Sequence, residues 1–172
     1  MVKELVHVML KPDALEFGLR DIIIQELQKG EGEIITSRRL VLSLEQISSI
    51  YSNFSNDRAK PVVFAYFTSR ETEHLAIIGS EELHKRLDVI KGQTGTGNGI
   101  RGKYYTRYTK LSPLELQEWL SGTLSNAEDI DLEMFGRDII HTADTQPESL
   151  AGLRAVMTPP QLDLIRFKGF GI

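Results

Sequence analysis

The chain has no cysteine, no excess of positive charge and no long apolar run, and each shortage excludes a class of protein. Without cysteine there is neither a disulfide framework nor a thiolate metal site. Its four histidines are scattered and lack the spacing of a zinc cluster. Twenty Lys and Arg against 24 Asp and Glu leave a net charge of -4, which argues against general affinity for nucleic acid or an anionic membrane surface. No stretch approaches the ~20 apolar residues of a membrane span, and the start, MVKELVHVMLKPD, is too short and interrupted in its apolar run for a signal peptide. A soluble, cytoplasmic protein is expected. At 172 residues, 41% hydrophobic, the length suits one core and hence a single domain over 1–172.

Leu5 to Leu10 is apolar except for His7 and ends at Lys11-Pro12-Asp13, which reads as a buried strand closed by a proline turn. Leu19, Ile22, Ile23 and Leu27 recur at helical spacing after Gly18, and Gly30 and Gly32 stop them. Glu33 to Leu42, rich in β-branched residues, predicts a second strand. Ser43 and Gln46 form a capping box, after which Ile47, Ile50, Tyr51 and Phe54 share a helical face. Two apolar clusters follow, Val62 to Phe67 and Leu75 to Ile78, and either suits a strand. Leu83, Leu87 and Ile90 mark a helix over Ser80 to Ile90. This alternation predicts an α/β or split βαβ sheet with helices packed on one face.

From Gly92 to Gly102 the segment GQTGTGNGIRG holds five glycines, a backbone able to approach a ligand closely and too loose for a helix or strand. Ser112-Pro113-Leu114-Glu115 opens a short helix through Trp119 and Leu120, and Asn126 to Glu133 reads as an acidic surface excursion. Asp138 to Asp144 places His141 where a strand enters a turn. The tail, with Pro159 and Pro160, is left without an assignment.

Taken singly, the candidates for chemistry are weak. A histidine after two isoleucines is more often a core or turn residue than a catalyst, and Lys11 before a proline reads first as a surface lysine. GTGNGIRG matches neither the P-loop nor the dinucleotide fingerprint.

Their order is another matter. KPD after the first strand, a Gly-Leu helix start, Tyr51 on the second helix, GQT and IRG in a Gly-rich segment, then IIH followed by Asp144, resembles the nucleoside diphosphate kinases. The resemblance covers most of Leu5 to Asp144 and is weaker around 111–135, where the chain carries an insertion. It implies a ferredoxin-like α/β (α+β) sandwich with a four-stranded antiparallel sheet covered by helices. It also implies ping-pong transfer of the γ-phosphate of ATP to a nucleoside diphosphate through a phosphohistidine on His141, with Lys11, Arg101 and nucleotide-bound Mg2+ neutralising charge. Thr94 would offer the phosphates a hydroxyl, and Tyr51 would stand beside the histidine. Hexamers or tetramers built from dimers are implied as well.

The sequence departs from that pattern at several positions. Asp138 stands where the family has an asparagine that bonds sugar and phosphate, and Ala143 where it has a serine. The base-stacking aromatic falls near Val62, and the phosphate-binding arginine falls on Asp88, with Arg86 a substitute by a shift of helix register. The glutamate that orients the histidine has no clear counterpart, Glu148 being near. Two other readings therefore stand beside the kinase: a catalytically weak nucleotide-binding regulatory protein of the same fold, and a protein-histidine phosphorelay partner.

Overall fold

The computed structural model describes residues 3–52, 56–93, 96–104, 113–123 and 137–172. Four strands form one sheet: β1 (Lys3–Leu10), β2 (Glu33–Val41), β3 (Glu71–Ser80) and β4 (Ile140–Thr142). Their order is β2-β3-β1-β4, and every pairing is antiparallel. Among the described residues the helices are α1 (Pro12–Glu16), α2 (Arg20–Gln28), α3 (Leu44–Ile50), α4 (Ala59–Thr68), α5 (Leu83–Lys91), α6 (Gly99–Tyr104), α7 (Pro113–Ser121), α8 (Gln146–Val156) and α9 (Pro159–Phe167). This is the ferredoxin-like arrangement that the resemblance implies.

Helices cover both faces of the sheet, not one. The alternation of β1 shows why: Leu5 and Met9 pack with Ile47, Val63, Phe67, Leu153 and Ile165, from α3, α4, α8 and α9. Val6, Val8 and Leu10 pack on the other side with Ile23, Leu27, Leu83, Leu87 and Ile100, from α2, α5 and α6. A strand buried on both faces reads as an unbroken apolar run, which is what Leu5 to Leu10 is.

Three further expectations change. The apolar run Val62 to Phe67 lies in α4, where Ala59, Val63, Tyr66 and Phe67 share the buried side, and only Leu75 to Ile78 belongs to a strand. Pro61 is tolerated because it stands in the first turn, whose N–H groups have no helical partner. The glycine-rich segment is not wholly irregular, because Gly99 to Gly102 enters α6, pinned by the fully buried Ile100. Gly92 and Gly99 let two backbones touch: a Cβ on Gly92 would lie 2.3 Å from the Asn98 carbonyl oxygen. The tail forms α8 and α9, each opened by a threonine and proline, with Thr145 Oγ1 accepting from Glu148 N at 3.4 Å and Thr158 paired with Gln161 in a capping box.

The predicted box at Ser43 is present, Gln46 N donating to Ser43 Oγ at 3.2 Å and Ser43 N to Gln46 Oε1 at 2.9 Å. Beyond β4 the edge of β1 is closed by side chains of α8: Leu5 N donates to Gln146 Oε1 and His7 N to Ser149 Oγ, both at 3.1 Å. Helix α7 seats Trp119 against the guanidinium of Arg58, 4.8 Å from the ring centre, at the start of α4. Phe54 and the acidic stretch Asn126 to Glu133 lie outside the described residues. No described helix is long and apolar enough to cross a membrane.

Candidate active site

Sheet register builds the site. Met9 in β1 stands opposite His74 of β3 on one side and His141 of β4 on the other, and Arg38 of β2 stands opposite His74. Directly paired residues share a face, so Arg38, His74, Met9 and His141 form one row under α3 and α8. His7, two residues from Met9, points to the same side.

Around His141 the structure gathers most of the residues singled out in the sequence. Tyr51, the C-terminal cap of α3, places its ring 5.1 Å from the imidazole and stacks on Phe67 at 5.6 Å. Lys11, 4% exposed at the end of β1, lies 5.8 Å from the Tyr51 ring centre. Its ammonium is paired with Asp138. Arg101, carried by α6, reaches Asp138 Oδ2 through Nη2 at 2.7 Å. The same guanidinium donates twice to the Ile140 carbonyl, from Nε at 3.1 Å and Nη2 at 2.7 Å. One carboxylate thus ties both cations together.

Charge states follow from these surroundings. Burial, reinforced by the positive charges of Lys11, Arg101 and Lys91, holds His141 well below its ordinary value, so the imidazole is neutral at pH 7. Burial works against the Lys11 ammonium, but the Asp138 carboxylate outweighs it and the net shift is upward. Burial raises Tyr51. The site is therefore a neutral, nucleophilic imidazole beside fixed cations, which is chemically suited to receiving an anionic electrophile.

Other expected residues stand elsewhere. Arg86 binds the Gly30 carbonyl at 3.0 Å, the Glu81 carbonyl at 2.8 Å and Ser80 Oγ at 3.1 Å, at the opposite end of α5 from Lys91, and does not join the cluster. Asp88 pairs with Lys91 at 2.5 Å. Val62 is half-buried on α4, more than a turn before the Phe67 that stacks on Tyr51. Glu148 accepts from Asp144 N at 2.9 Å, at the opening of α8. Ala143 is buried. Thr94 lies outside the described residues. No group of three or more histidine, aspartate or glutamate side chains arranged for a metal occurs among the described residues.

Several contributors were not singled out from the sequence. Lys91 ends α5 between Asp88 and Asp144, 3.6 Å from the latter, and adds a third cation near His141. Behind the site runs a buried line of donors. Thr72 Oγ1 donates to the Leu40 carbonyl at 3.1 Å and so accepts from His74 Nε2 at 2.8 Å, leaving His74 Nδ1 to accept from His7 Nε2 at 2.9 Å. Burial drives His7 down to about 4 and His74 well below its usual value. Gly152 of α8 leaves room for the His7 ring, since a Cβ there would lie 2.3 Å from Nδ1. Finally, Ile139 adopts φ 71°, a conformation costing a β-branched residue about 1–3 kcal/mol.

No protein-family model and no curated protein matches the sequence. Solved structures do. A nucleoside diphosphate kinase of Aquifex aeolicus aligns with TM-score 0.69 and 16% identity over 93% of this chain and 99% of its own. One from Encephalitozoon cuniculi gives TM-score 0.68 and 16% identity, covering 90% and 88%. One from Borrelia burgdorferi, a transition-state mimic with bound vanadate and ADP, gives TM-score 0.68 and 10% identity, covering 94% and 90%. At such identities the likeness establishes that the fold is that of these enzymes.

Proposed function

We propose that the chain is a divergent nucleoside diphosphate kinase that moves a γ-phosphoryl group from a nucleoside triphosphate to a nucleoside diphosphate through His141. The observation that carries this reading is the convergence of Lys11, Tyr51 and Arg101 on a neutral imidazole in a fold shared with those enzymes. The imidazole lone pair attacks the γ-phosphorus, a nitrogen–phosphorus bond forms, and the bond to the β-phosphate oxygen breaks, releasing the diphosphate. A β-phosphate oxygen of the second nucleotide then takes the group back and frees the ring. Lys11 and Arg101 neutralise the charge spread over the transferred oxygens, and magnesium enters as part of the Mg–nucleotide substrate. Tyr51 limits the movement of the ring, Thr94 supplies the phosphates with a hydroxyl, and Val62 offers only an aliphatic surface to the base.

The chain is taken as one domain acting in the cytoplasm as a homo-oligomer built from dimers, with the insertion around 111–135 as its departure. The sharing of Lys11 and Arg101 by Asp138 favours the second reading, a weak nucleotide-binding regulatory protein, because both phosphate-binding cations already hold an anion.

Incubation with γ-labelled Mg–ATP, then a chase with GDP, separates the two. Label that is acid-labile, alkali-stable and transferred to GDP is expected, and absent from His141→Ala. Nucleotide binding with no retained label would leave the regulatory reading.

A further inference from the structure

The turn Lys11-Pro12-Asp13 does more than supply a cation. Both main-chain groups of Ile139 end on it: the carbonyl oxygen accepts from Lys11 N at 2.9 Å, and the N–H donates to Asp13 Oδ2 at 3.0 Å. Ile139 is the central residue of a γ-turn, closed by the bond from Ile140 N to the Asp138 carbonyl at 2.8 Å, with φ 71°. A γ-turn of this hand is rare and strained, and a β-branched residue is a true outlier in it. The isoleucine side chain is 0% exposed and packed among Val8, Leu10 and Ile100, so the core fixes the side chain while the turn fixes the backbone.

Asp13 is itself unusual. It is 0% exposed, one of its carboxylate oxygens has no hydrogen-bond partner, and burial shifts it upward from its ordinary value against the pull of Lys11. A carboxylate buried at such cost needs a purpose, and its hydrogen bond to a distant part of the chain is to Ile139. On one side of the strained peptide stands Asp138, which holds Lys11 and Arg101, and two residues beyond it stands His141.

We propose that Asp13 is a positioning residue: its carboxylate holds the turn at Ile139 in the left-handed conformation and thereby sets where Asp138 and His141 meet the transferring phosphoryl group. The inference rests on the phosphotransfer reading above. Asp13 touches no reacting atom and acts through the backbone of 138–141.

The test uses the whole chain as wild type, Asp13→Ala, Asp13→Asn, Ile139→Gly and Asp13→Ala/Ile139→Gly, with γ-labelled Mg–ATP as probe. Glycine adopts φ 71° without strain, so in the Ile139→Gly background the clamp has nothing to hold. Asp13→Ala is expected to slow labelling about 30-fold in the wild-type background and under about threefold in the glycine background, misplacement of a reacting group being costly. Asp13→Asn, which keeps an oxygen acceptor, is expected to stay within about threefold of wild type, since hydrogen bonding and not charge holds the turn. Equal losses in both backgrounds, or Asp13→Asn as slow as Asp13→Ala, would overturn the proposal. Urea midpoints of the same proteins read the clamp without activity: the Asp13→Ala shift shrinks by at least about half in the glycine background if strain is being held. Folding of Asp13→Ala in that background alone is the same coupling, and folding in neither counts against it. A wild type that takes no label ends the positioning role together with the phosphotransfer reading, while the urea series still reports whether Asp13 holds the turn.

Discussion

Asp138 presents Oδ2 to the guanidinium of Arg101 at 2.7 Å. The other carboxylate oxygen belongs to Lys11, so an internal anion occupies the two cations that a phosphate chain would use. On the proposed reading, a nucleotide entering this site would have to displace the carboxylate or accept its repulsion. Where the resemblance places an asparagine, the same geometry would present a neutral oxygen.

Asp138→Asn is accordingly expected to tighten binding of Mg–ADP by about tenfold, a fraction of the Coulomb repulsion between a carboxylate and a nearby phosphate at the protein surface. Titration calorimetry on the two proteins decides it, and weaker binding by the variant would show that Asp138 is a ligand and not a competitor.

Lys91 has no counterpart among the residues picked from the sequence, yet its charge reaches His141. Lys91→Met should slow formation of the phosphohistidine by about tenfold, somewhat less than the loss of a donor aimed directly at the transferring group. The urea midpoint should hold, because the ion pair to the exposed Asp88 contributes little. An unchanged labelling rate would remove Lys91 from the site.

Stability should fall as pH drops from about 6.5 towards 4. In the unfolded chain His7 protonates near its ordinary value, whereas in the fold burial keeps it neutral down to about 4. Across that window the unfolded state therefore binds a proton that the folded state does not, and acidification favours unfolding. The contribution of His7 alone is about 3 kcal/mol. Urea unfolding at a series of pH values measures it, and a flat profile across the window would contradict the buried neutral pair.

Gly152→Ala should destabilise the fold by about 1–3 kcal/mol, the usual cost of forcing a methyl into a filled core. The added Cβ falls 2.3 Å from His7 Nδ1, and the ring cannot retreat without breaking its bond to His74. Calorimetric melting of the variant checks this, a melting temperature within a degree of wild type being the adverse result.

Legibility in the sequence followed the range of the interaction. Strand β1, the box at Ser43 and the helix at Pro113 depend on neighbours a few residues apart, and they are where the pattern puts them. The tail, left without an assignment, carries the same local signal, since Thr145 with Glu148 and Thr158 with Gln161 repeat the spacing seen at Ser43. Helix α4 was ambiguous because Val62 to Phe67 is apolar at nearly every position, which erases the period that separates helix from strand. Within the candidate site, Lys11, Tyr51, Arg101 and His141 are picked out by their order along the chain, through the resemblance it carries. The row of His74 and His141 about Met9 depends on strand register, and the left-handed isoleucine at 139 contradicts local preference, so neither is visible without coordinates. Arg86 shows the converse, a plausible candidate whose side chain is used to tie down the turn before α5.

The side chains of Gln146 and Ser149 that close the edge of β1 also limit how the sheet can grow. An extended segment of another chain could find no main-chain donors beside Leu5 and His7, because those N–H groups are already engaged. On the far side β2 ends the sheet, and there the Ser37 carbonyl accepts from Gln161 Nε2 of α9 at 2.8 Å. The stretch of β1 that β4 leaves uncovered is thus closed to strand addition by two side chains of one helix, a barrier made without any further strand.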